Sequence, residues 1–142
     1  MSTQKLQIKW CGEKQFEATS AAGHKVKMDG PPSGGGMDAG TRPMEMVLMG
    51  LAGCSAFDVV TILNKKRIEL TALDVHVEAY RVDKIPAVFE SIHLTFVIRS
   101  PNATEKALNH ACSLSVDKYC SVAAMLKAGG VKIHFSVEHI NT

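Results

Sequence analysis

The spacing of apolar residues near the N-terminus has a period of two. Leu6, Ile8 and Trp10 alternate with polar residues, and the alternation resumes after a turn signal at Gly23. A strand with one buried face has this period, because successive side chains point to opposite faces of a sheet. Residues 4 to 28 are therefore predicted to form two or three strands of a meander.

A helical spacing replaces this alternation further along. Before the change, the run GPPSGGGMDAGT at residues 30 to 41 lacks apolar periodicity and is rich in Gly and Pro, which predicts a mobile surface loop. From residue 42 to residue 66 the pattern is helical, with Pro43 near the start and the basic run NKKR at the end. Apolar residues also occupy the remaining sides of this helix, so we expect it to be buried nearly all round. A single small domain can hardly bury such a helix alone.

Alternation returns in the second half of the chain. Runs over residues 73 to 79 and 92 to 98 are predicted to pair as a hairpin of half-buried strands. Asn102, followed three residues later by Glu105, has the spacing of a capping box and predicts a helix that continues to about Val116. The chain therefore turns from strand to helix between these segments.

A second short helix and a last strand complete the pattern. The helix is predicted from near Ser121 to Lys127, where a pair of glycines ends it, and the strand follows over residues 131 to 137. The order of elements is strands, long helix, two strands, two helices and strand, which predicts an α+β fold with antiparallel sheets rather than a doubly wound one. No repeat or linker interrupts it, so we expect one domain over residues 1 to 142.

Composition and charge exclude several function classes. The 142 residues are 46% hydrophobic and 21% charged with a formal net charge of +2, which indicates a globular chain without a polyanion partner. The N-terminus lacks the apolar core of a signal peptide, and no stretch is expected to approach the roughly 18 apolar residues of a spanning helix. We therefore expect a cytoplasmic protein with no nucleic-acid or membrane partner. No phosphate-binding loop or structural zinc motif is present, so no cofactor or metal is expected.

Four cysteines offer the first candidate chemistry: Cys11, Cys54, Cys112 and Cys120. A reducing compartment argues against a static disulfide and leaves transient redox use open. Cys120 precedes the helix predicted near Ser121, where free backbone N–H groups and the helix dipole stabilise a thiolate. The alternative is a buried, inert thiol, as free cysteines often are. We assign Cys11 and Cys112 structural roles by default.

Charged residues on the long helix are further candidates. Asp58 lies four residues after Cys54 and so on the same face, whereas Glu45 lies nine residues before it and about half a turn out of phase. A carboxylate raises the pKa of a neighbouring thiol, so activating Cys54 requires a cation or a hydrogen-bond donor, and Arg42 is the local candidate. A carboxylate can also organise that cation or relay a proton. The alternatives are a satisfied polar helix position for Asp58 and, for Glu45, a helix N-terminal charge favoured by the dipole.

Two segments together resemble a known family. RPMEMVLMGLAGCSAFDVV, followed much later by KYCSVAAML, resembles the OsmC/Ohr family of osmotically induced and organic hydroperoxide resistance proteins, in a less characterised OsmC-like branch. The resemblance rests on the proline and glutamate at the helix start, the Gly-x-x-Cys segment and a second cysteine that opens a later helix. It covers most of the chain. It implies an OsmC-like fold that forms an intertwined homodimer, with the two long helices packed at its centre.

The resemblance also implies a thiol-dependent peroxidase that acts on organic hydroperoxides. In the family one cysteine attacks the hydroperoxide and becomes a sulfenic acid, and a second condenses with it to a disulfide, which a dithiol such as a lipoyl group reduces. Carried over, this makes Cys54 the peroxidatic residue and Cys120 the resolving one. The family also uses a glutamate and an arginine. Here Glu45 stands one position after the family's glutamate, and Arg42 is the available arginine because residues 1 to 41 contain none.

Other hypotheses fit the same residues. Asp58 is a candidate for a site particular to this branch, in addition to the pair at the helix start. A non-catalytic module could bind a small apolar ligand or sense redox state through the same two thiols. Both cysteines could also be core residues in a retained fold, since a fold does not determine a function. Hydroperoxide turnover and native-state thiol titration distinguish these hypotheses.

Overall fold

The computed structural model describes residues 3 to 142, and the chain divides into two compact units, the first ending at Leu48 and the second beginning at Met49. The strands are β1 (Gln7–Gly12), β2 (Gln15–Thr19), β3 (Lys25–Met28), β4 (Ala72–Arg81), β5 (Phe89–Arg99) and β6 (Lys132–Ile140). The helices are α1 (Pro43–Lys65), α2 (Glu105–Leu114) and α3 (Ser121–Ala128). The predicted α+β class is confirmed, and the assignment of the whole chain to one domain stays a prediction.

The first unit contains a three-stranded antiparallel sheet in the order β1-β2-β3. Ile8 pairs with Ala18 and Trp10 with Phe16 between β1 and β2. Phe16 also pairs with Met28 of β3, so three apolar side chains lie in one row across the sheet. The predicted meander is confirmed.

One carboxylate organises the loop after β3. Asp29 is 2% exposed, and its oxygens accept hydrogen bonds from the backbone N–H groups of Gly30 (2.7 Å), Met37 (3.3 Å) and Ala39 (3.1 Å). Burial raises the pKa of the Asp29 carboxyl, but these donors, together with Gln15, outweigh burial and hold the pKa below its ordinary value. The loop predicted from its Gly and Pro content therefore has internal structure that composition did not indicate.

The second unit contains a three-stranded sheet in the order β4-β5-β6. β4 and β5 form the predicted hairpin, with antiparallel pairs such as Val75 with Phe96 and Val77 with Leu94. β6 lies parallel to β5, so the prediction of antiparallel pairing throughout is wrong for this strand. The reason is the connection: α2 and α3 lie between β5 and β6, and a crossover of this length lets the chain re-enter the sheet in the same direction.

Alternation along β5 supplies the centre of the core of the second unit. Ile92, Leu94, Phe96 and Ile98 are each at most 1% exposed. The helices add buried residues: Leu51, Val59 and Leu63 from α1, Leu108, Ala111 and Cys112 from α2, and Ala123 from α3. Because α2 and α3 also contact β6, the core lies between these helices and the sheet. β5 is the central strand, which is why its alternate residues are the most deeply buried of the sheet.

α1 is deeply buried along a single line. The line consists of Leu51, Ser55, Val59 and Leu63, each four residues from the next. On another side of the helix Phe57 is 76% exposed. The predicted helix is confirmed, but the single chain does not bury it nearly all round.

Among the described residues, α1 is the one helix that is long enough and apolar enough to cross a membrane, by length and composition alone. An 18-residue window of it has a mean hydropathy of 2.0. The expectation that no stretch approaches this requirement is therefore wrong, because the small residues between the bulky apolar ones barely lower the mean. Core helices of soluble proteins meet the same criterion, so this finding alone does not assign the helix to a membrane.

The start of α2 differs from its prediction by two residues. Thr104 is the N-cap, and its side chain accepts a hydrogen bond from the N–H of Ala107 at 3.1 Å. Asn102 instead accepts a hydrogen bond from the N–H of Glu69 at 2.8 Å, which links the turn before α2 to the segment after α1. The predicted capping box is wrong, because a tertiary contact uses the Asn102 side chain and Thr104 is free to cap.

Candidate functional site

Cys120 lies where α2 gives way to α3. The chain leaves α2 through a π-helical turn, Ser115–Tyr119, after which the N–H of Cys120 donates to the carbonyl of Ser115 at 2.8 Å. Cys120 is the N-cap of α3, and its Sγ accepts a hydrogen bond from the N–H of Ala123 at 3.4 Å. The predicted place of this thiol, at the first turn of a helix, is confirmed. Turns of the π type are frequent at functional sites.

Cys54 and Asp58 lie one turn apart on α1, and both are half-buried. Three atoms lie within 4.8 Å of one another: Sγ of Cys54, Sγ of Cys120 and one carboxylate oxygen of Asp58. We call these three residues the thiol–carboxylate cluster. The structure thus brings together three of the five candidate residues, two of which are far apart in the sequence.

The environment of Cys120 acts on its thiol in opposite directions. Burial is the largest effect and raises the pKa, hydrogen bonds from Ser55 and Ala123 lower it, and the neighbouring Cys54 raises it. The net effect is a pKa above the ordinary value for cysteine. The helix N–H group therefore acts on the thiol as expected, but burial outweighs it.

Two serines that sequence reasoning missed support the cluster. The Ser55 hydroxyl donates to Sγ of Cys120 at 3.3 Å. The Ser115 hydroxyl donates to the carbonyl of Ser55 at 2.8 Å and lies 3.4 Å from Oδ2 of Asp58. Both serines are fully buried. Their signal in the sequence is slight: Ser55 is a small polar residue in a mostly apolar stretch, and Ser115 lies in the mixed stretch SLSVDKY, where one serine does not stand out.

A cavity of about 530 Å³ adjoins the cluster, and Asp58 forms part of its wall. The rest of the wall combines apolar, hydroxyl and basic side chains: Thr61, Ile62, Lys65, Lys66, Leu114 and Tyr119. The volume is in the range of small-molecule sites. In such sites apolar side chains contact the organic part of a ligand, and a few polar side chains orient it.

Arg42 and Glu45, the other two candidates, belong to the first unit. Arg42 forms a salt bridge with Asp38 at 2.9 Å and donates to the carbonyl of Gly40 at 3.3 Å. The Glu45 carboxylate accepts hydrogen bonds from the N–H of Arg42 at 2.9 Å and from the hydroxyl of Thr41 at 3.3 Å. The Glu45 side chain thus stabilises the start of α1, as its alternative interpretation expected, whereas the Arg42 side chain is held by the loop before the helix. Their part in catalysis stays a prediction.

The other two cysteines differ from each other in exposure. Cys11 is exposed on β1, whereas Cys112 is fully buried in α2. Burial raises the pKa of the Cys112 thiol to about 12. A thiol that remains protonated at neutral pH is a poor nucleophile, which agrees with a structural role for Cys112.

The chemistry open to the cluster follows from its three groups. A thiol oxidised to sulfenic acid beside a second thiol can condense with it to a disulfide, which protects it from further oxidation. The adjacent carboxylate can accept or return a proton. Cys54 is half-buried and Cys120 is buried, so Cys54 is the more exposed of the two cysteines.

Comparisons with known proteins agree on one family. The sequence model of the OsmC-like protein family matches residues 34–136. Protein YhfA of Escherichia coli K12 is 41% identical over 120 residues, which covers 84% of this chain and 87% of YhfA. A crystal structure of a hypothetical protein from Aquifex aeolicus is 31% identical, with a TM-score of 0.82 and coverage of 99% of each chain.

A more distant solved structure shares the fold alone. The organic hydroperoxide resistance protein OsmC of Legionella pneumophila is 16% identical, with a TM-score of 0.71 over 97% of this chain and 98% of that one. The order of strands and helices, the long α1 and the match over most of the sequence therefore lead to one assignment. The chain has the OsmC-like fold and belongs to the family of OsmC-like proteins.

Proposed function

We propose that this chain is a thiol peroxidase that reduces organic hydroperoxides, with Cys54 as the attacking residue and Cys120 as the resolving one. The observation that carries the proposal is the thiol–carboxylate cluster, whose three reactive atoms lie within 4.8 Å of one another. Membership of the OsmC-like family supports it, as does the fold shared with a Legionella protein that is described as an organic hydroperoxide resistance protein.

The unequal exposure of the two cysteines supports this division of roles. Cys54 is half-buried and belongs to the same helix face as Asp58, which adjoins the cavity. Cys120 is 1% exposed, and burial raises the pKa of its thiol. The first step requires access to the hydroperoxide, whereas the second requires only a neighbouring sulfur.

In the first step Sγ of Cys54, as thiolate, attacks the terminal oxygen of the hydroperoxide. The S–O bond forms as the O–O bond breaks, and the electron pair leaves with the alkoxide, which takes up a proton and departs as an alcohol. In this proposal the Asp58 carboxylate, which lies within 4.8 Å of the Cys54 sulfur, accepts the proton of the Cys54 thiol and returns it to the alkoxide. Ile62 and Leu114 offer apolar contacts to the organic substituent.

In the second step Sγ of Cys120 attacks the sulfenic sulfur of Cys54. The S–S bond forms, and the hydroxide that leaves combines with the proton of the Cys120 thiol as water. The sulfurs must approach from within 4.8 Å to about 2.05 Å for this bond to form. An external dithiol, such as a lipoyl group, then restores both thiols by exchange and is itself oxidised to a disulfide.

Turnover with cumene hydroperoxide and a dithiol tests the proposal. We expect steady consumption through many cycles in the wild-type protein and a disulfide between Cys54 and Cys120 after one equivalent of oxidant. Cys54→Ser is expected to abolish consumption, while Cys120→Ser is expected to form a sulfenic acid without the disulfide. Cys11→Ser is the matched control, because this exposed thiol lies in the other unit.

The same assay tests the candidates at the start of α1. Arg42→Ala and Glu45→Gln are expected to lower the rate of the first step if they act with Cys54. Unchanged turnover with a lowered melting temperature would instead assign both to stabilising the helix start. The proposal as a whole fails if Cys54→Ser consumes hydroperoxide as fast as the wild type.

A second candidate function is redox sensing or ligand binding without turnover. The raised pKa of Cys120 favours it, because a poorly ionised second thiol slows the exchange that regenerates the protein. It predicts stoichiometric oxidation and no multiple turnover with any dithiol. Many cycles of consumption would exclude it.

A further inference from the structure

We propose that the reduced thiol–carboxylate cluster binds one soft divalent cation of the Zn²⁺ class, through Sγ of Cys54, Sγ of Cys120 and a carboxylate oxygen of Asp58. This goes beyond the peroxidase proposal and does not depend on it. The sequence led us to expect no metal, because the spacing of His110, Cys112 and Cys120 does not resemble a structural zinc motif. The fold supplies the spacing instead.

The geometry of the three ligand atoms is close to what such a cation requires. Zn²⁺ binds thiolate sulfur at about 2.3 Å and carboxylate oxygen at about 2.0–2.2 Å, which places tetrahedral ligands roughly 3.6–3.8 Å apart. The cluster atoms already lie within 4.8 Å of one another, so a contraction of about 1 Å suffices. Cys54 and Asp58 contribute ligands four residues apart on one helix, the same separation that two histidines have in helical zinc sites.

The neighbours of the ligands also suit a metal centre. The Ser55 hydroxyl and the Ala123 N–H both donate to Sγ of Cys120, as hydrogen-bond donors around metal thiolates do. The Ser115 hydroxyl lies 3.4 Å from the Asp58 carboxylate and can orient it. Protein ligands from two thiolates and one carboxylate leave a fourth position open, and the cavity beside Asp58 gives that position room for water or a small ligand.

The charge balance explains why the reduced cluster, and not the disulfide, binds the metal. Two thiols and one carboxylate take up Zn²⁺ and release two protons, which leaves the cluster with a net charge of −1. A disulfide between the two cysteines removes both thiolates and so removes the site. Metal binding and disulfide formation therefore exclude each other, and bound Zn²⁺ holds both thiols in the reduced state.

Co²⁺ provides a spectroscopic test on the wild-type protein without any hydroperoxide. The reduced protein, kept anaerobic, is titrated with Co²⁺ and then with Zn²⁺. We expect thiolate-to-cobalt charge-transfer absorption and the visible bands of a tetrahedral site, saturating at one equivalent and lost when Zn²⁺ replaces Co²⁺. A spectrum without thiolate bands would overturn the proposal.

Alkylation mapping gives a second test that needs no variant. Zn²⁺ is expected to slow alkylation of Cys54 and Cys120 together, while the exposed Cys11 reacts at the same rate with and without metal. Equal labelling of Cys54 in both conditions would contradict the inference. Neither outcome depends on whether the chain is a peroxidase.

Variants then assign the ligands. Cys54→Ser, Cys120→Ser and Asp58→Asn are each expected to weaken Zn²⁺ binding by more than about tenfold, since even indirect partners of a metal contribute this much. Asp74→Asn, an exposed aspartate on β4, is the matched control and is expected to bind as the wild type does. Unchanged affinity in both cysteine variants would overturn the assignment.

Discussion

Ser55 directly follows Cys54 in the sequence, yet its hydroxyl serves the other cysteine. It donates to Sγ of Cys120, while its carbonyl accepts from the hydroxyl of Ser115. One residue of α1 is thereby bonded to both ends of the π-helical turn that precedes α3. Because burial raises the pKa of the Cys120 thiol, the bond from Ser55 is one of two that partly offset it.

Ser55→Ala tests the effect of this hydroxyl on the Cys120 thiol. Without the bond the Cys120 thiolate loses a donor, so we expect its alkylation at neutral pH to slow by about two- to tenfold, the equivalent of one ordinary hydrogen bond. The rate is measured by mass spectrometry on the folded protein. Ser121→Ala, an exposed serine at the start of α3, is the control. An unchanged rate in Ser55→Ala would show that the bond does not affect reactivity.

The buried thiol of Cys112 makes the free energy of unfolding depend on pH. Its pKa is raised from 9.0 to about 12 in the folded protein, so the unfolded chain loses this proton first as pH rises. The stabilisation is complete below about pH 9 and is lost progressively up to about pH 12, with a loss on the order of 1 kcal/mol for this group by pH 10.

Urea unfolding at several pH values measures this loss. The slope of unfolding free energy against pH is expected to be shallower in Cys112→Ala than in the wild type above pH 9, whatever the difference in absolute stability. Cys11→Ala, which removes an exposed thiol, is expected to keep the wild-type slope. Parallel slopes in Cys112→Ala and the wild type would contradict the burial argument.

Among the elements, the loop between β3 and α1 shows how backbone packing can depend on one glycine. A Cβ at Gly36 would overlap the backbone carbonyl of Gly30, so no side chain fits at this position without a shift of the backbone. A Cβ at Gly34 would meet only the Pro31 side chain at 3.7 Å, an ordinary contact. The two glycines are close in sequence but differ in what surrounds them.

Gly36→Ala is therefore expected to destabilise the protein by about 1–3 kcal/mol, because the backbone around Gly30 must move. Gly34→Ala is the matched control and is expected to change stability by less than about 0.5 kcal/mol. Thermal unfolding measures both, and hydrogen exchange at the Met37 and Ala39 amides reports whether their bonds to Asp29 loosen. Equal melting temperatures for the two variants would contradict the close approach.

At the scale of the whole molecule, the exposed sides of α1 bear on assembly. Only 22% of the 18-residue apolar stretch of α1 is buried. Met49 is 54% exposed and Phe57 is 76% exposed. Large exposed apolar side chains on one helix are typical of an interface. They support the proposal that two copies of the chain form a homodimer around their long helices.

Phe57→Glu tests the homodimer. A carboxylate buried without a partner in such an interface costs about 3–5 kcal/mol, so we expect dissociation to increase by at least about 100-fold. Light scattering during size exclusion, over a range of concentrations, measures the mass. Ile85→Glu is the control, since Ile85 is 98% exposed in the turn between β4 and β5. A dimer of undiminished stability in Phe57→Glu would exclude Phe57 from the interface.

Local patterns in the sequence were sufficient for most of the elements. The hairpin of β4 and β5, the long α1 and the start of α3 at Ser121 were predicted because periodicity and capping are properties of neighbouring residues. The same local reasoning placed Cys120 beside free N–H groups and Asp58 on the face of Cys54. The family resemblance rested on these same segments.

What only the tertiary structure decided depends on contacts between distant positions. The parallel pairing of β6 with β5 depends on the crossover through α2 and α3. The meeting of Cys54 with Cys120 and the hydrogen bonds of Ser55 and Ser115 arise where α1 packs against the segment between α2 and α3. Such contacts are not visible in the hydrophobic pattern of either segment. That pattern reflects only residues that are adjacent in the sequence, and it carries no information about a distant partner. Composition could not reveal that burial outweighs the helix N–H group at Cys120, since burial is set by the packed chain as a whole.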